Sequence, residues 1–155
     1  MKSKMLTLYI GLCDRIAQIS SAKRLQVGCL IVKNDNILAF GWNGTPHGWD
    51  NACEHDLPEE IDADTRTVTP AQLITKPEVL HAETNAIAKV AQGSESSTGA
   101  ILFCTHAPCL DCAKLIHQSG ITAVYYRDKY KSQAGLHFLE KCGIIVSQIT
   151  EDTHD

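Results

Sequence analysis

The stretch Val79-Leu80-His81-Ala82-Glu83-Thr84-Asn85-Ala86-Ile87, read together with Pro108-Cys109-Leu110-Asp111-Cys112, decides the fold of this chain. Leu80, Ile87, Ala88 and Ala91 recur at helical spacing, which predicts a helix over 79–92 with His81 and Glu83 in its first turn. Cys109 and Cys112 share one face at the start of a second helix that ends near Gly120. Pro108 suits a helix entrance, where its missing N–H goes unneeded. Both helix N-termini carry positive dipole ends, which lower the cost of holding thiolates there. Two separated segments thus bring together one imidazole, two thiols and one carboxyl.

A closed structural zinc site takes four protein ligands, whereas a catalytic one takes three and keeps a position for water. His81, Cys109 and Cys112 make three, and Glu83 is the additional group. Zinc held by imidazole and thiolates lowers the pKa of its water from about 15.7 towards about 7. A carboxylate beside that water can carry protons, which suits hydrolytic attack on an electrophilic ring carbon. The combination H-x-E with P-C-x-x-C resembles the signature of zinc nucleobase deaminases, in which the Glu is acid and base and not a ligand. A redox pair or half a zinc knuckle accounts for the C-x-x-C alone, but it gives His81 and Glu83 no task.

Around these helices the elements alternate. Met5, Leu6, Tyr9, Ile10, Cys13, Ile16 and Ala17 follow an amphipathic helix. Residues 27–32 and 37–42 read as a hairpin turned at Asn34-Asp35-Asn36. A strand over 100–105 leads into the Cys-bearing helix, followed by a strand over 123–126, a helix over 132–141 and a strand over 144–149. This order predicts an α/β fold in three layers, α/β/α. Its five-stranded mixed sheet has an N-terminal hairpin and parallel later strands, because right-handed crossovers return the chain in the same direction. Residues 1–155 read as a single domain. The segment 54–78 reads as an insertion loop, acidic at its start and carrying Pro58, Pro70 and Pro77, long enough to act as a lid or binding loop.

Composition narrows the function classes. Hydrophobic residues at 44% and charged residues at 21% are ordinary globular usage. No run approaches the roughly 20 apolar residues of a membrane span, so no membrane partner is expected. Asp14 and Arg15 interrupt the lysine-bearing start and no small-residue cleavage site follows, against a secretory signal. Seven cysteines, with Cys29 and Cys104 inside apolar strand-like runs, favour a reducing compartment and a cytoplasmic location, the host cytoplasm if the protein is viral. A formal net charge of -4 offers no large cationic surface, which weighs against a nucleic-acid partner.

The likeness extends well past the ligands. Gln26-Val27-Gly28, Gly41-Trp42-Asn43-Gly44-Thr45-Pro46, His81-Ala82-Glu83-Thr84-Asn85-Ala86-Ile87, Pro108-Cys109-Leu110-Asp111-Cys112-Ala113-Lys114-Leu115-Ile116, Gln118-Ser119-Gly120-Ile121 and Asp128-Lys129-Tyr130 resemble the deoxycytidylate deaminase family, from about Leu6 to Ile149. The resemblance implies a cytidine-deaminase-like fold, assembled as a homo-oligomer and commonly a hexamer. It also implies hydrolytic conversion of dCMP to dUMP and ammonia, feeding thymidylate synthesis. It makes His81, Cys109 and Cys112 the ligands of one Zn2+ per subunit and Glu83 the proton shuttle.

Substrate contacts are sought at Asn43, Arg24, Lys129 and Tyr130, with Lys23 beside them. Asn43 can both donate and accept hydrogen bonds to a sugar hydroxyl, the cations suit a monophosphate, and Tyr130 can pack near base or sugar. In the family a G-Y-N-G motif goes with activation by dCTP, bound with a divalent cation such as Mg2+, and with inhibition by dTTP. Gly41, Trp42, Asn43 and Gly44 stand there in this chain, and Trp42 keeps an aromatic face while losing the phenolic oxygen.

Some phage members resembling this chain carry a further zinc. Cys53 and His55 stand near that place, but 20–26 contains no cysteine, so one zinc is expected. His47, His106, His117, His137 and His154 lack ligand spacing and are expected at the surface or in the core. A free cytidine or deoxycytidine deaminase would share this zinc chemistry. A polynucleotide deaminase, acting on tRNA or single-stranded DNA, would call for a basic surface. A non-enzymatic zinc-stabilised interaction module would leave Glu83 idle.

Overall fold

Nearly every residue of β1 (Gly28–Lys33) is buried, so both faces of this strand must be covered. Cys29 and Ile31 project to one side and Leu30 and Val32 to the other, each into a separate core cluster. The strand follows α1 (Ser3–Ala17) and leads into β2 (Asn36–Trp42) through Asn34 and Asp35, which adopt φ of 50° and 59°. Asn and Asp tolerate that left-handed conformation better than most residues, which is why the hairpin turns there. The computed structural model describes residues 1–150.

The segment expected as an insertion loop is instead paired. β3 (Glu54–Leu57) runs antiparallel to β6 (Gln72–Thr75), and β4 (Glu60–Ile61) to β5 (Val68–Thr69). Pro58 and Pro70 fall between the two ladders, where a missing N–H interrupts pairing. These strands are short and exposed along almost all their length, so no burial alternation marks them in the sequence.

The chain then forms α2 (Ala82–Ala91), β7 (Ile101–His106), α3 (Leu110–Gln118), β8 (Ala123–Asp128), α4 (Ala134–Lys141) and β9 (Ile145–Gln148). The five-stranded sheet has the order β2-β1-β7-β8-β9, antiparallel between β2, β1 and β7 and parallel from β7 to β9. This is the expected mixed sheet, with element ends shifted by one to three residues. Tyr9, Ile10 and Cys13 of α1 pack on one face with Leu30, Val32 and Phe103. On the other face Ala82, Ala86, Ile87 and Val90 of α2, Ala113 and Ile116 of α3 and Leu139 of α4 meet Cys29, Ile31, Leu102, Cys104 and Val124. Three layers result. Among the described residues no helix is long and apolar enough to cross a membrane.

Two glycines let helices approach closely enough to shape the site. A Cβ on Gly41 would lie 2.3 Å from the Ala82 carbonyl oxygen, so β2 meets the first turn of α2 without side-chain volume between them. A Cβ on Gly135 would lie 2.2 Å from the Pro108 carbonyl oxygen, which seats the start of α4 directly on the segment carrying Cys109.

Candidate active site

The parallel strands β7 and β8 release the chain at their carboxyl ends, the side on which open α/β sheets bind ligands. Pro108 and Cys109 follow β7, and Lys129, Tyr130 and Lys131 follow β8. His81 and Cys109 are the N-cap residues of α2 and α3, with extended backbone at φ -78°, ψ 154° and φ -70°, ψ 170°. Each therefore stands one step before its helix, which moves His81 out of the first turn expected from periodicity. Neither side chain caps its helix, although that is the usual task at this position. The imidazole and thiol turn towards one another instead.

His81 Nδ1 lies 3.3 Å from Cys112 Sγ and 3.6 Å from Cys109 Sγ. A tetrahedral zinc with bond lengths of about 2.3 Å to sulfur and 2.0 Å to nitrogen separates such donors by about 3.5 Å, so the spacing fits this ion. The Cys109 thiol is held down at about 4, first by the hydrogen bond from Cys112 and then by that from His81. Cys112 is pushed up by the same hydrogen bond between the two free thiols and by its burial, while His81 is raised chiefly by its hydrogen bond with Cys109. A proton shared among soft donors is what a dication displaces on binding. Among the described residues, His81, Cys109 and Cys112 form one group placed to hold a metal ion.

Glu83 completes this cluster from the first turn of α2, where it is 5% exposed. Burial is the main cause that raises its pKa above the usual carboxylate range. A carboxyl that holds its proton more tightly than an ordinary one is better suited to hand a proton on as well as to take one.

The cluster opens into a cavity of about 400 Å³. His81, Glu83 and Cys109 line it, together with Ala22, Leu25, Val27, Asn43, His106, Arg24, Lys129, Tyr130 and Lys131. The sequence-selected Asn43, Arg24, Lys129 and Tyr130 are thus gathered at one site. Lys23 is not among the lining residues. Asn43 has a task that its motif did not disclose: its Oδ1 accepts from Val27 N–H at 2.9 Å and its Nδ2 donates to the Leu25 carbonyl at 2.8 Å. Its amide pins one wall of the cavity.

Trp42 and Gly44 border a second cleft of about 350 Å³ with Thr45, His47, Asn85 and Lys89. Lys89 Nζ lies 4.6 Å from the Phe40 ring centroid and 4.7 Å from that of Trp42, and donates to the Phe40 carbonyl. Gly41, named with these residues in the motif, is instead fixed by its contact with α2.

Four cavity residues that bear on the chemistry were not marked in the sequence: His106, Glu54, Thr75 and Lys131. His106 was expected to be a plain surface or core residue, but its Nδ1 meets Thr105 Oγ1 at 2.9 Å and its Nε2 stands 3.6 Å from Asp128 Oδ2. Its place at the last residue of β7, on the ligand-binding end, is the signal that could have found it. Glu54 and Thr75 enter from the ribbon, where nothing local marked them. Of the other histidines, His47 borders the second cleft, His117 makes an edge contact with Phe138, and His137 and His55 are exposed. Cys53 is buried beside Ala22 and Val79, and His154 lies outside the described residues.

Three soft donors, a buried carboxyl and a cavity at the carboxyl ends of parallel strands define a hydrolytic zinc site of the deaminase class. Residues 4–128 match the family described as the cytidine and deoxycytidylate deaminase zinc-binding region, and the chain belongs to that family. It is 31% identical to the deoxycytidylate deaminase of Enterobacteria phage T4, over 86% of this chain and 84% of that one. It is 31% identical to the deoxycytidylate deaminase of Saccharomyces cerevisiae over 92% of this chain but 44% of the yeast protein, so it spans less than half of that relative's length. The crystal structure of dCMP deaminase from the cyanophage S-TIM5, in complex with dCMP and dUMP, superposes with a TM-score of 0.82 at 41% identity, covering 96% of this chain and 99% of that one. The mixed sheet with its four helices is accordingly the cytidine-deaminase-like fold.

Proposed function

We propose that residues 1–155 act as one zinc-dependent domain that deaminates dCMP to dUMP and ammonia. The observation that carries this reading is the burial of Glu83 beside His81, Cys109 and Cys112, inside a cavity whose lining includes Arg24, Lys129 and Lys131. Zinc, when bound by those three side chains, supplies the Lewis acidity that makes water a nucleophile at neutral pH. Glu83 takes the proton of the attacking water and delivers it to N3 of the pyrimidine. As the water oxygen bonds to C4, Glu83 takes the remaining proton of the new C4 hydroxyl to the C4 amine, whose bond to carbon breaks as ammonia leaves and the C4 carbonyl forms. Arg24, Lys129 and Lys131 hold the monophosphate, and Tyr130 packs beside the nucleotide. Asn43 acts on the sugar through the wall it fixes.

Comparison of dCMP, CMP and deoxycytidine as substrates tests this assignment. We expect kcat/KM for dCMP to exceed that for deoxycytidine by at least about tenfold, since a charge-assisted phosphate contact is worth about 1.5–3 kcal/mol. Equal turnover of the two would contradict it.

The same family likeness supports regulation at Gly41, Trp42, Asn43 and Gly44 by dCTP with Mg2+ as activator and dTTP as inhibitor. It also supports a homohexamer in the cytoplasm supplying dUMP for thymidylate synthesis. The second cleft, where Lys89 offers a cation beside Trp42, favours an anionic ligand there. Sigmoidal dCMP saturation that dCTP straightens and dTTP opposes, with coupling of about 1–3 kcal/mol, is the expected result. Hyperbolic kinetics indifferent to both triphosphates would discard this regulation.

A further inference from the structure

We infer that Glu54 is a positioning residue that makes the site select a nucleoside monophosphate over the free nucleoside, by presenting Arg24 to the phosphate. This rests on the dCMP reading above. The connection between α1 and β1 has no regular structure of its own, yet it carries Arg24 into the cavity wall. Glu54 Oε1 accepts the backbone N–H groups of Lys23 and Arg24 together, at 2.9 and 3.0 Å. Glu54 is paired across the ribbon with Thr75, and the Thr75 hydroxyl accepts from Arg24 Nη1 at 3.4 Å. One rung of the β3–β6 ribbon therefore grips Arg24 at both ends, backbone and guanidinium.

The way the charges are placed gives this grip its consequence. The Glu54 carboxylate is directed to two backbone donors, and among the described residues Arg24 forms no ion pair. Its positive charge remains available to an anion in the cavity, where Lys129 and Lys131 add two more. Successive backbone N–H groups can themselves cradle an anion. With Glu54 occupying those at Lys23 and Arg24, a phosphate has the guanidinium side of the cavity as its place. A base and sugar without phosphate make no use of this device, so the two substrates separate the positioning role from a merely structural one.

Steady-state kinetics of the zinc-loaded full chain on dCMP and deoxycytidine, with Tm and zinc content recorded, test the inference. Glu54→Ala is expected to raise KM for dCMP about tenfold with kcat within about twofold, and to leave kcat/KM for deoxycytidine within about twofold. Glu54→Gln, whose amide oxygen still accepts both N–H groups, is expected to recover most of the loss. Arg24→Ala is expected to match Glu54→Ala on dCMP, and the double variant to be no worse than Arg24→Ala alone. If Glu54→Ala fails to fold, Thr75→Val reports on the same grip, with an expected rise in dCMP KM of about threefold. Equal losses on both substrates, or a fall in kcat at unchanged KM, would overturn the role. A wild-type preference for dCMP that Glu54→Ala leaves intact overturns the role of Glu54 alone, whereas a wild type without that preference overturns the substrate reading beneath it.

Discussion

At the scale of single residues, the chemistry was legible because it is written in local patterns. H-x-E and P-C-x-x-C put ligands and carboxyl at helix entrances, and the folded chain brings His81, Cys109 and Cys112 within 4.8 Å of one another. What the pattern could not show was burial. Glu83 is almost wholly buried, and that burial raises its affinity for protons. Glu83→Gln preserves shape and removes the exchangeable proton. We expect it to retain stoichiometric zinc by metal analysis while kcat falls by about 10²–10⁴-fold; a variant within a few-fold of wild type would remove Glu83 from the reaction. His106 and Glu54 escaped the sequence reading for a related reason. Their partners, Asp128 and the backbone at Lys23 and Arg24, are distant in the chain, and no spacing rule announces such meetings.

At the scale of elements, strands and helices that bury apolar side chains were readable, whereas the exposed ribbon was not. β1 and β7 declare themselves through apolar runs, and their register of Leu30 opposite Phe103 is set by which face each side chain must bury. Phe103 is fully buried, between Tyr9 at 4.9 Å and Tyr125 at 5.3 Å between ring centroids. Phe103→Ala should therefore destabilise the protein by about 3–5 kcal/mol in urea unfolding, since it opens a cavity that aromatic neighbours on two elements cannot collapse to fill. Asn43 shows how a motif residue can serve an element. Asn43→Ala removes two hydrogen bonds from the segment 25–27, so a loss of about 1–3 kcal/mol and a raised KM for dCMP should appear together. A raised KM with unchanged stability would mean that Asn43 contacts substrate directly and does not act through the wall.

At the scale of the whole molecule, Arg127 of β8 ties the α1 layer to the sheet through its ion pair with Asp14, and it also pairs with its neighbour Asp128. The guanidinium beside it holds the Asp128 carboxyl below its ordinary value of 3.8. A carboxyl lowered in the folded state stabilises the protein at pH values above its unfolded pKa, and that contribution fades as pH falls through the folded value. The stability gap between wild type and Arg127→Ala should hence be level above about pH 5 and shrink below about pH 4, as read from urea midpoints. Because these groups are more than a third exposed, the gap should be on the order of 1 kcal/mol. The layer order and the mixed sheet followed from alternating strands and helices. The convergence of a wall from the α1–β1 connection, a rung from the ribbon and ligands from the entrances of two helices depends on tertiary packing, which a linear sequence does not display. That this convergence makes a zinc-dependent dCMP deaminase is tested by ammonia release from dCMP as zinc is titrated into chelator-treated protein. Turnover that is absent without metal and rises to a plateau at one equivalent of zinc per chain is expected; fully zinc-loaded protein that releases no ammonia from dCMP would contradict it.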